Sequence, residues 1–395
     1  MENDTLIRPQ ALFPVILIAG FFSFPLMLVL LVATILRDPQ QEASRQARYL
    51  VYIMIGVGLG YINTTKPTEF SDLGYYYWLY NWASTKSLAE YIDLIPKEPV
   101  YFIYNYLMRY LTFGNFNLFM IVTTVLMYFP VMAAFDRIFR ENGLPVKFAV
   151  IAAVIFACFN EYFFYTAQIV RQVLAGSVAF YFVIRMTYEN DKWSYIGLAC
   201  AGLVHASAFI FGIYYILRLT MNWKFKSKVF IIIASFALFG VVVGLVASLS
   251  DTESTLTYAA QRAQSGAGDK VHVGWFPLAV CSSVIPMSLL AMWKMDWEKH
   301  IVNILILGIF LVVFVLANTA NPLFVLRFME YCYMYIPLCL VLTLCVINLD
   351  RLAYMAMFVT LARFVMVLNK GAFQYESFGS ICLDGYPLML IKIFS

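Results

Sequence analysis

Long apolar runs separated by short charged loops organise this 395-residue chain. Ala11–Leu36, Val229–Leu249 and Ile301–Leu316 are the clearest of them. Each is close to the roughly 20 residues a helix needs to cross the hydrocarbon core of a bilayer. The pattern predicts helices throughout, in a single transmembrane domain over residues 1–395 with no internal repeat.

The loops orient those helices, because Lys and Arg gather in the loops that stay cytoplasmic. Arg37, Arg45 and Arg48 follow the first run, whereas the N-terminal tail carries only Arg8. The N-terminus is therefore expected outside, and the first run is a retained anchor: it is too long, and its flank too poor in basic residues, for a removable signal peptide. A second run, about 49–62, returns to the outside and leads into a long aromatic stretch, 63–98. Residues 98–111 are apolar but short and carry Arg109. A lateral or re-entrant helix there keeps Arg137, Arg140 and Lys147 inside after the next run, 116–135. The runs 146–163 and 169–187 then go out and come back.

The segment 194–217 is ambiguous, because it ends in Arg218, Lys224, Lys226 and Lys228 as though it never left the cytoplasmic side. Either it crosses once against the charge bias, or it is two half-helices bent at His205-Ala206-Ser207. The bend is preferred. It makes 251–274 and 318–327 external and leaves Lys294, Lys299 and Arg351 internal. Broken helices at membrane depth are tolerated where they line a polar cavity. The expected architecture is an all-α polytopic integral membrane protein with about 10–11 transmembrane helices plus the lateral helix, and external loops near 63–98, 251–274 and 318–327.

Composition agrees: 62% hydrophobic and 13% charged residues exclude a soluble globular enzyme, a disordered chain and a disulfide scaffold. A net charge of +4 is too mild for a nucleic-acid partner. Six of the seven cysteines sit inside apolar runs without CxxC spacing, so they read as packing residues.

Charges at the rim of a helix bundle are costly and hence informative. The external ends collect Asp72 and Glu98, then Glu161, Gln168 and Arg171, then His205 at the bend, Arg262, Asp269 and His272, and finally Arg327 with Glu330. Arg171 and Arg327 each begin an apolar run, which sets them at one depth on one side. Two guanidinium groups there suit a diphosphate, which accepts bidentate hydrogen bonds from Arg. Blander roles stand beside these. The arginines can be snorkelling anchors, His205 a structural histidine, Asp72 a helix cap, and the aromatic excess a membrane belt.

The order of short motifs resembles the EpsG/Wzy-type family of bacterial polysaccharide polymerases. Asp72 with Tyr76 opens the first external loop, and Glu98-Pro99 precedes the amphipathic VYFIYNYLMRYL. Arg171-Gln172 starts VLAGSVAFYFVI, His205 lies in GLVHASAFIFGIYYIL, and Arg327 opens FMEYCYMYIPL. The resemblance covers roughly 45–350, and the Arg-Gln and His motifs at their mutual spacing are its most specific part.

The resemblance implies a GT-C-like glycosyltransferase that joins lipid-linked oligosaccharide repeats on the outer face of the bacterial cytoplasmic membrane. Donor and acceptor are glycans on undecaprenyl diphosphate, and a chain-length regulator and a flippase are the implied protein partners. Arg171 and Arg327 then neutralise the diphosphate, and His205, Asp72 or Glu98 takes the acceptor proton. Gln168, Gln172, Arg262, Tyr76, Tyr165 and Glu161 are the further expected substrate contacts. No cofactor or metal is expected, since the loop holds no DxD pair. Competing readings are an O-antigen ligase, a flippase or transporter of lipid-linked sugars, and a membrane O-acyltransferase.

Overall fold

Pro25 decides how the first apolar run folds. Proline has no N–H to donate and clashes with the preceding turn. The run accordingly divides into two 14-residue helices, α1 (Pro9–Phe22) and α2 (Phe24–Arg37), with the Ser23 hydroxyl accepting from Leu26 N–H at the break. Fourteen residues rise only about 21 Å, against a hydrocarbon core of about 30 Å, so neither helix crosses alone. The single anchor expected there is a broken pair.

The computed structural model describes residues 9–37, 44–68, 72–93, 98–189, 191–219, 273–295, 300–319, 321–370, 375 and 378–394. Those residues form helices and no strand. After α2 come α3 (Arg45–Thr64), α4 (Asp72–Trp82), α5 (Leu88–Asp93), α6 (Pro99–Leu111), α7 (Phe116–Glu141), α8 (Val146–Ala157), α9 (Asn160–Thr166), α10 (Val170–Tyr188), α11 (Lys192–Val204) and α12 (Ile213–Leu219). The second part comprises α13 (Trp275–Ser282), α14 (Val284–Lys294), α15 (His300–Ala317), α16 (Pro322–Val346), α17 (Asp350–Asn369), α18 (Phe378–Ile381) and α19 (Tyr386–Phe394).

Five of these units are long and apolar enough to cross a membrane: α7, the joined α13–α14, α15, α16 from Phe324, and α17. The α8–α9 pair, bent by 62°, makes a sixth if counted as one span. Helices α3 and α10 have spanning length, 20 and 19 residues, but carry more polar side chains. The Val229–Leu249 run lies outside the described residues. The molecule is thus an all-α polytopic membrane protein. Helix α6, at 13 residues, is too short to span and buries one face, Tyr101, Phe102, Asn105 and Met108.

Ion pairs mark one end of the bundle. Arg48 meets Asp136 at 2.5 Å, Arg137 meets Glu189 at 2.7 Å, and Lys147 meets Asp350 at 2.7 Å. All six belong to or adjoin loops expected to be cytoplasmic. The segment 192–219 starts and ends at that same end. Arg218 donates to the Tyr195 hydroxyl at 2.8 Å, and the Tyr195 and Tyr215 rings lie 5.7 Å apart. The chain therefore turns back at its middle. Helix α11 stops at His205, whose extended backbone (φ −154°, ψ 127°) leads into a 3-10 helix, Ala206–Gly212. Two half-helices, not one span, occupy this segment.

Close approach elsewhere depends on a missing side chain. A Cβ on Gly60 would stand 2.7 Å from the Ile121 Cα, so α3 and α7 touch backbone to backbone. Small residues serve this purpose between membrane helices, where lipid removes the hydrophobic drive for association.

Candidate functional site

At the end of the bundle opposite the Arg48–Asp136 pairs, four separate segments bring charge together. Glu98 is the residue before α6, with Pro99 at the first helical position, where its fixed φ suits a helix start. It is 8% exposed. Arg171, in the first turn of α10, donates from Nη1 to Glu98 Oε2 at 2.5 Å. Its guanidinium also lies 5.8 Å from the ring centroids of Tyr75 and Tyr101. The buried Nε–H of Arg171 has no hydrogen-bond partner among the described residues, so part of its donor fork is unspent. Tyr76 is buried on α4 against Arg171.

His205 reaches the same carboxylate from the tip of the hairpin, its Nε2 being 3.5 Å from Glu98 Oε1. Its other nitrogen is engaged by Ser207, whose backbone N lies 3.3 Å from Nδ1, which turns Nε2 toward Glu98. The Ser207 hydroxyl lies 2.6 Å from Nδ1 and 2.5 Å from the Tyr331 hydroxyl, extending the chain to α16. Tyr331 fits because Gly176 leaves room: a Cβ there would stand 2.4 Å from the ring.

The remaining members come from the start of α16. Gln172 donates to the Arg327 carbonyl oxygen at 2.5 Å, tying α10 to α16. The Arg327 charge acts on Glu98 and on Glu330, a fully buried carboxylate neither of whose oxygens has a hydrogen-bond partner among the described residues. Burial pushes the Glu98 carboxyl up from the ordinary range, while Arg171 and Arg327 pull it back. A poised carboxylate between cations can both accept a proton and release one.

Not every expected residue joins this cluster. Asp72 is exposed at the start of α4 and bears on Lys66. Glu161, on α9, is held bidentately by Arg363 of α17, with Arg363 Nη1 donating to Oε2 at 3.2 Å and Nη2 to Oε1. Tyr165 stacks on Tyr333 at 6.0 Å, between Glu161 and Glu330. Gln168 is half-buried in the turn before α10. Arg262, like Asp269 and His272, lies outside the described residues. No group of three or more His, Cys, Asp or Glu placed to hold a metal occurs among the described residues.

Sequence reasoning passed over Ser207, Tyr331 and Arg363. A lone Arg in an otherwise apolar run is itself a signal, which could have singled out Arg363. Tyr331 is one tyrosine among 27, and nothing local distinguishes it.

Fold and site define a class: a multi-pass helical membrane protein whose arginines, carboxylate and histidine converge at one end of the bundle. The model of the EpsG family matches residues 48–377, and the chain belongs to that family of polysaccharide-polymerase-like membrane proteins. No curated protein and no solved structure matches the chain.

Proposed function

We propose that this protein is a glycosyltransferase that polymerises oligosaccharide repeats carried on polyprenyl diphosphate at the outer face of the bacterial cytoplasmic membrane. The acceptor hydroxyl attacks the anomeric carbon of the donor glycan, a new glycosidic C–O bond forms, and the bond to the diphosphate breaks. The polyprenyl diphosphate leaves with the electron pair, and the hydroxyl proton passes to a base on the protein.

The observation that carries this reading is the convergence of Arg171, Glu98 and His205 within the charge field of Arg327. Arg171 spends one donor on Glu98, and its fixed guanidinium charge suits a diphosphate. Charge grows on the leaving diphosphate, so fixed cations there are stronger in the transition state than in the ground state. Glu98 is the better base, because it lies between Arg171 and His205 while His205 Nδ1 is already engaged by Ser207. His205 then orients Glu98 and stabilises it once charged. Tyr75, exposed beside Arg171, offers a face to a sugar ring or an isoprenoid unit.

The test is the surface glycan of a deletion strain complemented with Arg171→Ala or Arg327→Ala. Single repeats without long chains are the expected outcome, with the variants present in the membrane at wild-type level. Full-length polymer from both variants overturns the assignment, and loss of every surface repeat points instead to a ligase or a flippase.

A further inference from the structure

Two more cations close on the short helix α9. Lys66, in the turn that ends α3, is 4% exposed. Its ammonium lies 5.0 Å from the Phe164 ring centroid and 5.4 Å from that of Tyr375, and it makes no ion pair with a described residue. Asp72 acts on it at longer range. An ammonium has three N–H donors, and aromatic faces satisfy none of them as an oxygen would. Arg363 grips Glu161 and still leaves its side chain 42% exposed.

Both cations engage one face of α9. Glu161 and Phe164 are three residues apart and therefore neighbours on that helix. Helix α4 links this pair to the Arg171 cluster. Asp72 bears on Lys66, and Tyr76, one turn later at i+4, bears on Arg171. The two cationic centres are thus addressed by positions about 6 Å apart along α4.

The reaction proposed above consumes two diphosphate-bearing lipids, and Arg171 with Arg327 answers for one. We propose that Lys66, assisted by Arg363 on the same face of α9, binds the second, the diphosphate of the acceptor lipid. The inference rests on the polymerase reading. Lys is suited to phosphate as a point charge, and Arg as a fork. Among the described residues the carboxylates that bear on these two cations are Asp72 and Glu161, so an incoming diphosphate competes with Glu161 for Arg363. The Glu161 pair holds the guanidinium in place while the site is empty.

Native mass spectrometry of the full-length protein in detergent, with farnesyl diphosphate as probe, counts the sites. Wild type is expected to bind two molecules, Lys66→Gln one, Arg171→Ala one and the double variant none, with Lys66→Arg restoring two. Glu161→Gln, which frees Arg363, is expected to tighten the second site several-fold. A merely structural Glu161–Arg363 pair gives weakening instead, and that outcome overturns the role of Arg363. Two molecules retained by Lys66→Gln, or a single wild-type molecule lost only in Arg171→Ala, overturns the second site and leaves the first. A single molecule lost in Lys66→Gln and kept in Arg171→Ala overturns the Arg171 assignment while supporting this one. Displacement from the Lys66 site by phosphatidylglycerol as readily as by farnesyl diphosphate identifies an ordinary headgroup site and overturns the proposal. Displacement by inorganic diphosphate alone does the same for the lipid.

Discussion

Glu98 sits between Arg171 and His205 with each carboxylate oxygen facing a different partner. Its neighbours divide the labour between charge and proton. Arg171 is cationic at any physiological pH, whereas the His205 ring is held at Nδ1 by Ser207 and turns Nε2 to Glu98. That difference separates two candidate bases by mutation. Glu98→Gln removes the proton acceptor and is expected to cost about 10²–10⁴-fold in polymer formation, the usual worth of a positioned base. His205→Gln keeps an N–H donor near Glu98 and is expected to lose far less. Measuring chain elongation in membranes for both variants decides the matter. A larger loss in His205→Gln than in Glu98→Gln would make the histidine the base.

Among the elements, the hairpin of α11, the 3-10 turn and α12 does most to build the site. Its two arms return to the same end, where Arg218 meets Tyr195, and its tip raises His205 to Glu98. A continuous helix through the same residues would bury the histidine among apolar neighbours and carry Arg218 to the wrong end of the bundle. A cysteine at Ala206, in a background lacking the native cysteines, is therefore expected to react with an impermeant thiol reagent added from outside. Reaction only after the cytoplasmic face is exposed would contradict the hairpin's orientation. The α8–α9 bend plays a similar part on the other flank, turning Glu161 and Phe164 toward Arg363 and Lys66.

Across the whole molecule, charge is sorted to the two ends, and the ends are fastened differently. One end is held by ion pairs, the most buried being Arg48–Asp136, at 5% and 0% exposure. Arg48→Met strands Asp136, with Arg140 only 3.8 Å away as partial relief. The loss is expected to be about 3–5 kcal/mol, the usual result of breaking a buried pair from one side. Replacing both partners by apolar residues is expected to recover much of it, and thermal unfolding in detergent measures both. A double variant no more stable than the single would show that Asp136 is not what destabilises it. The chain's termini, outside the segment the family model matches, fasten another part of the bundle. Asp384 accepts from the Tyr61 hydroxyl at 2.5 Å, Phe24 N–H donates to the Asp384 carbonyl oxygen at 3.1 Å, and Asn115 donates to the Ile393 carbonyl oxygen at 2.7 Å.

Hydropathy and loop charge are sums over neighbouring residues, so the sequence alone carried what such sums can express. These are the all-helical membrane class, the common end of the charged loops around Arg48, Arg137 and Lys147, the shortness of α6, and a bend in a segment flanked by cations. Apolar length without regard to Pro25 misjudged the first run, because a proline acts through a hydrogen bond and a clash that hydropathy does not weigh. Pairing lay beyond it. Glu98 and Arg171 are 73 positions apart, Ser207 and Tyr331 are 124, and Glu161 and Arg363 are 202. Whether such residues meet depends on which helices lie side by side and how closely, down to Gly176 making room for the Tyr331 ring. The sequence thus determined which charges are costly enough to matter; the tertiary structure decided which of them share a site, because only packing brings distant charges within hydrogen-bonding range.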